Sequence, residues 1–114
     1  DFCLNLRKKG SKLYVCNKIK FNHFGSKSVH SRYEKIVKFS RAFHYNWSKF
    51  YYYKKNYNYF LAFRKIIPNT IKAIKKIIYN VFTLNKKNVV FGLIELYGIA
   101  CSILNLKSFY RPKK

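Results

Sequence analysis

The chain has 114 residues, enough for one domain with a modest core. Its 25 lysine and arginine residues against 3 acidic residues give a formal net charge of +22, which favours polyanionic partners such as nucleic acid, anionic lipid headgroups or diphosphate-bearing substrates. Hydrophobic residues make up 49% of the chain and aromatic residues 20%, which argues against a disordered basic tail. The three cysteines include no Cys-x-x-Cys pair, which argues against a disulfide framework or a zinc site.

The beginning of the chain predicts the end of a helix followed by two short strands. Residues 1–9 carry basic side chains in the last turn, and Gly10 stands where a helix C-terminus favours glycine. Residues 13–16 form a β-prone apolar run, and residues 19–23 alternate like a half-buried strand. A pair of short strands is marginally stable unless it joins a larger sheet. Because the chain also lacks Met and begins at Asp1, we expect it to be a fragment of a longer protein.

The remaining sequence predicts three helices. Residues 34–56 place apolar side chains at spacings of three, four and seven. In residues 57–84 we expect Pro68 to kink or split the helix, because proline lacks a donor and clashes with the preceding turn. An apolar stripe in that segment consists of Ile71, Ile74, Ile78 and Val81 or Phe82. Residues 88–104 are apolar nearly all round but shorter than the roughly 20 residues of a membrane-spanning helix, so we expect a docked or interfacial helix.

Two segments carry a resemblance to a known enzyme family. The first begins with Asp1-Phe2-Cys3-Leu4-Asn5-Leu6-Arg7-Lys8-Lys9-Gly10 and ends, after the two predicted strands, with His23-Phe24-Gly25-Ser26. It resembles the end of the catalytic domain in family 2 glycosyltransferases of the GT-A fold, where an acidic cluster, a basic helix ending in glycine and a strand ending in histidine follow one another. The second segment, residues 41–56, resembles the aromatic and basic helix of bacterial rhamnosyltransferase-like members.

The resemblance implies a division of the chain into two parts. Residues 1–31 would be the C-terminal end of an α/β GT-A catalytic domain, and residues 32–114 a helical C-terminal extension near the acceptor or the membrane. The predicted fold class is therefore mostly α with a short two-strand β element.

An inverting glycosyltransferase is the function that the resemblance implies. It would move a sugar from a nucleotide-sugar donor to a glycan or lipid-linked acceptor, and this segment alone is expected to be inactive. A Mg²⁺ or Mn²⁺ ion would offset charge on the diphosphate. His23 is the implied metal or diphosphate ligand; the other interpretation is a hydrogen-bonded histidine at a strand end. Asp1 corresponds to the acidic cluster, whose catalytic base would lie upstream, or it caps the helix.

Further candidate site residues lie in the loop and in the helix that follow. Ser26 and Ser28 could contact phosphate or the acceptor, or simply form the loop. An acceptor site for a lipid-linked diphosphate would use Arg41, His44, Tyr52, Lys54 and Lys55, which could instead form a solvated basic face.

The later helices favour a cytoplasmic protein that is peripheral to the cytoplasmic face of the inner membrane. Lysine-rich faces beside Ile, Phe and Tyr suit an anionic leaflet, although ordinary helix packing produces the same pattern. The chief alternative function is a small basic RNA-binding or ribosomal protein, because lysines meet phosphates and aromatic side chains stack on bases. We rank nucleic acid lower, since the sequence holds no recognised RNA-binding motif. A membrane-surface module without catalysis is a third hypothesis.

Overall fold

Four α-helices and one 3-10 turn account for the regular structure of the residues that the structure describes. The computed structural model describes residues 2–21 and 30–108. Its helical elements are α1 (Phe2–Lys8), the 3-10 turn (Ser31–Tyr33), α2 (Glu34–Asn56), α3 (Tyr59–Phe82) and α4 (Lys86–Ile103). Neither described range contains a β-strand. The predicted fold class, a fragment of an α/β GT-A domain with a two-strand β element, is therefore wrong.

The predicted strand pair does not form because nothing covers its apolar side chains. Residues 11–21 are irregular apart from one turn, and Tyr14, Val15 and Phe21 are each at least 85% exposed. β-Propensity stabilises a strand only where its side chains pack on neighbouring strands or on a core. The last two residues of the second predicted strand, including His23, lie outside the described residues.

The C-terminus of α1 agrees with the prediction. Gly10 has a φ of +82°, and the N–H of Ser11 donates a hydrogen bond to the carbonyl oxygen of Leu6 at 3.0 Å. A left-handed glycine with this backward bond is typical of a Schellman ending. No Cα atom of α1 comes within 8 Å of another described helix, and α1 buries no residue. The core therefore belongs to the other three helices.

Helices α2, α3 and α4 pack against one another around two groups of buried side chains. The observed bounds of α2 are those predicted from its apolar spacing. The first group joins α2 to α4 through Ala42, Phe43, Ile94 and Cys101. The second joins all three helices through Phe50, Ala62, Ile66 and Ile99.

Short connections with asparagine caps join these helices. Asn58 begins α3 and Asn85 begins α4, and each side chain accepts a hydrogen bond from the backbone N–H three residues further on, at 2.7 and 3.3 Å. An acceptor at this position satisfies one of the N–H groups that a helix start leaves unpaired. Because only residues 57–58 and 83–85 connect the helices, sequential helices stay in contact.

The predicted split at Pro68 does not occur, because α3 runs without a break from Tyr59 to Phe82. Proline lacks the N–H that would donate to the carbonyl oxygen of Arg64. Both residues lie on the exposed side of α3, so the proline ring meets no neighbouring helix there.

Two asparagines and a lysine connect α2 to α3 by hydrogen bonds. The Asn46 Nδ2 donates to the carbonyl oxygen of Ala42 at 2.9 Å, and its Oδ1 accepts from the Asn69 Nδ2 at 2.8 Å. The Lys49 Nζ donates to the Asn69 Oδ1 at 2.9 Å. Because Asn46 is only 3% exposed, these bonds replace the water that its amide loses on burial.

Two glycines allow α4 to approach its neighbours closely. A Cβ atom on Gly98 would lie 2.5 Å from the carbonyl oxygen of Phe43 in α2, and one on Gly92 would lie 2.6 Å from the Cγ1 atom of Ile77 in α3. Both distances are shorter than non-bonded atoms tolerate. At Gly98 the obstacle is backbone, so α2 and α4 meet main chain to main chain there.

Helix α4 docks on the bundle, as predicted. Ile94, Ile99 and Cys101 are each less than 10% exposed in its contacts with α2 and α3. None of the described helices combines the length and the apolar content that crossing a bilayer requires.

Candidate functional site

Four of the predicted site residues, Asp1, His23, Ser26 and Ser28, lie outside the described residues. Within residues 2–21 and 30–108, no three His, Cys, Asp or Glu side chains come close enough to hold a metal ion together. Metal binding at His23 and a role for Asp1 in catalysis therefore stay predictions.

The five predicted acceptor residues occupy different parts of α2. Helical spacing places Arg41, Tyr52 and Lys55 on the side away from the core, but Arg41 and Tyr52 are about three turns apart. His44 is half-buried and packs edge-on against the ring of Phe43, with ring centroids 5.1 Å apart. These side chains do not converge on one ligand-sized cleft.

Lys54 points in another direction from its predicted partners. Its Nζ donates a hydrogen bond to the Asn105 side chain, and it lies 5.7 Å from the centre of the Tyr59 ring. Desolvation raises the pKa of the Tyr52 phenol, and the charge and hydrogen bond of Tyr57 raise it further. The Tyr52 hydroxyl is therefore protonated at neutral pH, where it cannot serve as a general base.

A cleft between the first turns of α2 and α4 collects four lysines. We call it the lysine cleft; its volume is about 340 Å³, and it is lined by Lys35, Lys38, Phe39, Lys76, Lys87, Asn88 and Phe91. The rings of Phe39 and Phe91 lie with their centres 5.9 Å apart. The Lys76 Nζ stands 4.5 Å from the centre of the Phe91 ring, and the Lys35 Nζ stands 5.7 Å from that of Phe39. Cation–π attraction thus holds two ammonium groups over these rings.

The lysines of the cleft outnumber the carboxylates near them. Glu34 pairs with Lys38 at 2.5 Å and Glu95 pairs with Lys76 at 2.7 Å. These two are the only acidic residues in the described ranges, and neither forms a salt bridge with Lys35 or Lys87. The Lys38 hydrogen bond, more than its charge, lowers the pKa of Glu34, and the charge of Lys87 adds to the effect. Four lysines against these two carboxylates leave an excess of positive charge around the cleft.

Helix α3 presents a second unusual surface, an exposed apolar stripe. We call it the apolar face; every member is at least 39% exposed, and its residues are Phe60, Phe63, Ile67, Ile71, Ile74, Ile78 and Val81. Their spacing of three and four places them on one side of the helix. The inward side of α3 carries fewer large apolar side chains than the apolar face; its buried apolar residues are Ala62, Ile66 and Ala73. The stripe predicted for this segment therefore exists but faces outward.

Basic residues run along one edge of the apolar face. Arg64 follows Phe60 by four positions, and Lys75 follows Ile71 by four and precedes Ile78 by three. Side chains at these spacings are neighbours on a helix surface. Both basic residues are exposed, so cationic groups stand beside the apolar side chains along much of α3.

The end of α3 and the start of α4 extend this surface. A groove of about 380 Å³ lies next to Val81 and is lined by Asn80, Val81, Leu84, Lys86, Val89 and Val90. Exposed apolar surface of this extent is uncommon on a chain that has no partner.

Sequence reasoning did not identify the lysine cleft. Its lining combines residues 35–39 of α2, Lys76 of α3 and residues 87–91 of α4, which only the packing of three helices brings together. The scarcity of acidic residues was the available signal, because 3 carboxylates cannot pair with all 25 lysine and arginine residues.

Comparisons of the chain with protein-family models, with curated proteins and with solved structures found no match. The candidate surfaces are therefore interpreted from their own chemistry.

Proposed function

We propose that the helical bundle binds the surface of an anionic phospholipid membrane, with the apolar face of α3 inserted among the headgroups. The observation that carries the proposal is the row of exposed aliphatic side chains bordered by Arg64 and Lys75. An interfacial helix needs these two features together, because apolar side chains enter the boundary between headgroups and acyl chains while cations meet lipid phosphates.

The length of α3 suits a helix that lies in the membrane plane. Its 24 residues extend over about 36 Å, and apolar positions recur along nearly all of that length. The net charge of +22 adds a long-range attraction to an anionic leaflet. On this proposal the protein is peripheral to the membrane, as expected for the cytoplasmic face of an inner membrane.

The chemistry of the face favours lipid over RNA. Nucleic-acid bases stack on planar aromatic or guanidinium groups. The centre of the apolar face is aliphatic, with Ile67, Ile71, Ile74 and Ile78 in succession. Branched aliphatic side chains cannot stack on bases, whereas they partition readily into hydrocarbon.

The glycosyltransferase assignment remains a prediction beside this proposal. Its implied metal ligand, His23, and its acidic residue, Asp1, lie outside the described residues, and the strand expected at residues 13–16 is absent. A membrane-bound helical extension would hold such an enzyme near a lipid-linked acceptor, but membrane binding does not require catalysis.

Sedimentation with vesicles tests the proposal. We expect the full chain to bind phosphatidylcholine vesicles that contain phosphatidylglycerol, and to bind pure phosphatidylcholine vesicles much more weakly. Added salt should weaken the binding, because exposed charges are screened. Arg64→Gln/Lys75→Gln should weaken partitioning by roughly 30-fold, at about 1 kcal/mol for each cation at the surface.

The matched control is Lys18→Gln/Lys20→Gln, which removes the same charge from two exposed positions outside α3. Equal losses from the two double variants would contradict a specific role for the edge of the apolar face. Stronger retention of single-stranded RNA than of anionic vesicles would favour the RNA-binding alternative. A stable dimer that hides the apolar face, detected by light scattering, would also overturn the proposal.

A further inference from the structure

We propose that the lysine cleft is a binding site for a compact organic phosphate, with the phosphate held among the lysines and the attached group placed against the rings of Phe39 and Phe91. This inference does not depend on the membrane proposal, because the cleft lies between α2 and α4 and shares no lining residue with the apolar face.

Charge is the first argument for an anion. Four ammonium groups border a cleft of about 340 Å³, and only two carboxylates, those of Glu34 and Glu95, pair with them. Ammonium groups gathered in this way repel one another, and a bound anion offsets this repulsion because it attracts each of them. Lys35 and Lys87 form no salt bridge among the described residues, so their N–H donors can turn to a ligand.

Preorganisation is the second argument. The Lys76 ammonium is fixed by Glu95 at 2.7 Å and by the Phe91 ring at 4.5 Å, and its side chain is 35% exposed. The Lys38 ammonium is held by Glu34 on the neighbouring turn. Side chains that are already restrained lose less conformational entropy when a ligand binds. Two lysines are thus positioned by glutamates, a third, Lys35, lies over the Phe39 ring, and Lys87 is exposed and can close on the ligand.

The size and the lining of the cleft define the ligand class. A volume of about 340 Å³ exceeds what a single phosphate ion fills and lies near the lower end of small-molecule sites. The half-buried rings of Phe39 and Phe91 supply an apolar wall, and the Asn88 amide adds a polar group. A phosphate needs several cationic donors, whereas the remaining space suits an apolar or planar group joined to it.

Titration of the full chain with soluble probes tests the site. The probes are inorganic phosphate and phenyl phosphate. Their binding is measured by isothermal titration calorimetry and by the NMR chemical-shift changes of the backbone amides that line the cleft. We expect phenyl phosphate to bind saturably and more tightly than inorganic phosphate, because its ring can contact the two phenylalanines. Equal affinity for the two probes would remove the organic part of the proposal and so overturn it.

Matched charge variants separate a site from general attraction. Lys35→Gln/Lys87→Gln should weaken phenyl phosphate binding by about tenfold or more, because two direct donors are lost. Lys18→Gln/Lys20→Gln removes the same charge and should change the affinity by less than about twofold, since its effect is only long-range. All four positions are exposed, so both variants should keep the wild-type circular dichroism spectrum. Equal weakening in both variants would show counterion attraction only and would overturn the site.

The source of the phosphate is decided by competition. Displacement of phenyl phosphate by phosphatidylcholine vesicles containing phosphatidic acid, whose headgroup is a phosphomonoester, would assign the site to a lipid headgroup. Retention of phenyl phosphate in the presence of the same vesicles would assign it to a soluble organic phosphate. If anionic vesicles do not bind at all while phenyl phosphate still does, the membrane proposal fails and the cleft proposal stands.

Discussion

Replacing Gly98 by alanine tests the close contact between α2 and α4. The added Cβ would lie 2.5 Å from the carbonyl oxygen of Phe43 and 3.2 Å from its Cα and carbonyl carbon. These are backbone atoms, so no side-chain rotation can relieve the overlap, and the two helices must separate by something on the order of 0.5–1 Å. Such overpacking costs about 1–3 kcal/mol, and the backbone obstacle places Gly98 near the upper limit.

The control variant is Gly92→Ala in the same helix. Alanine is favoured over glycine in a helix by about 1 kcal/mol at both positions. At Gly92 the nearest atom is the side-chain Cγ1 of Ile77 at 2.6 Å, whereas the nearest backbone atom, the carbonyl oxygen of Ala73, is 3.3 Å away. The free energy of unfolding of Gly98→Ala should therefore fall about 1–2 kcal/mol below wild type, whereas that of Gly92→Ala should stay within about 1 kcal/mol of it.

Urea denaturation followed by far-ultraviolet circular dichroism measures both values. A loss of 1 kcal/mol should also lower the melting temperature by roughly 4–8 °C in a domain of this size. If Gly98→Ala were as stable as Gly92→Ala, the main-chain contact between α2 and α4 would be wrong.

Two further predictions concern single side chains. Asn46→Ala removes a buried amide that bonds to Ala42 and Asn69, so it should lower the free energy of unfolding by about 1–3 kcal/mol in urea denaturation. Asn69→Ala should also lower it, because the buried Oδ1 of Asn46 loses its donor, and wild-type stability of either variant would contradict this network. The Glu34 carboxyl should titrate below its usual pKa of 4.5 in an NMR titration, since the folded state favours its charged form through Lys38. The Glu34–Lys38 pair should therefore stabilise the fold above pH 4.5, and this stabilisation should be lost as the pH falls through the lowered pKa of Glu34. Lys38→Gln should raise the titration midpoint of Glu34 toward its usual value.

The helices were predictable because their patterns are local. The apolar spacing in residues 34–56 predicted the bounds of α2. Gly10 predicted the end of α1, because glycine readily adopts the left-handed conformation that it has there. The strand predictions for residues 13–16 and for the described part of the second strand, residues 19–21, were wrong because β-propensity reports a preference for a pleated, half-buried surface. No such surface exists around residues 11–21, where the apolar side chains remain exposed.

The apolar pattern of α3 alone did not indicate which side of the helix faces the core. The helix carries two apolar sides, and the one with more large side chains, including Ile71 and Ile74, faces outward. The inward side contains Ala62, which packs with Phe50 and Ile99, and Ala73, whose carbonyl oxygen lies close to Gly92 of α4. Hydrophobicity alone therefore selects the wrong side, whereas small residues on one side of a helix indicate where a neighbouring backbone comes close.

The lysine cleft shows the other limit of sequence reasoning. Lys35, Lys76 and Lys87 belong to three helices, and no local pattern relates them. The residues predicted for phosphate contact, such as Arg41 and Lys55, were chosen by a resemblance and by their shared helix. The observed packing brings different lysines together.

Removal of two isoleucines from the apolar face tests membrane binding most directly. Ile71 is 47% exposed and Ile78 is 53% exposed, so about half of each side chain is available for insertion. Full burial of such a side chain is worth about 1.5–3 kcal/mol, and the two exposed halves together are worth about as much as one full side chain. Ile71→Gln/Ile78→Gln should therefore weaken partitioning into phosphatidylglycerol-containing vesicles by roughly 10- to 150-fold.

The comparison variant is Val15→Gln/Tyr45→Gln, which changes two exposed apolar residues outside the apolar face. Vesicle sedimentation of the two variants, each with the wild-type circular dichroism spectrum, is the deciding measurement. Membrane binding through α3 predicts a large loss for the isoleucine variant and less than about a threefold change for the comparison variant. Equal partitioning of wild type and the isoleucine variant would contradict it.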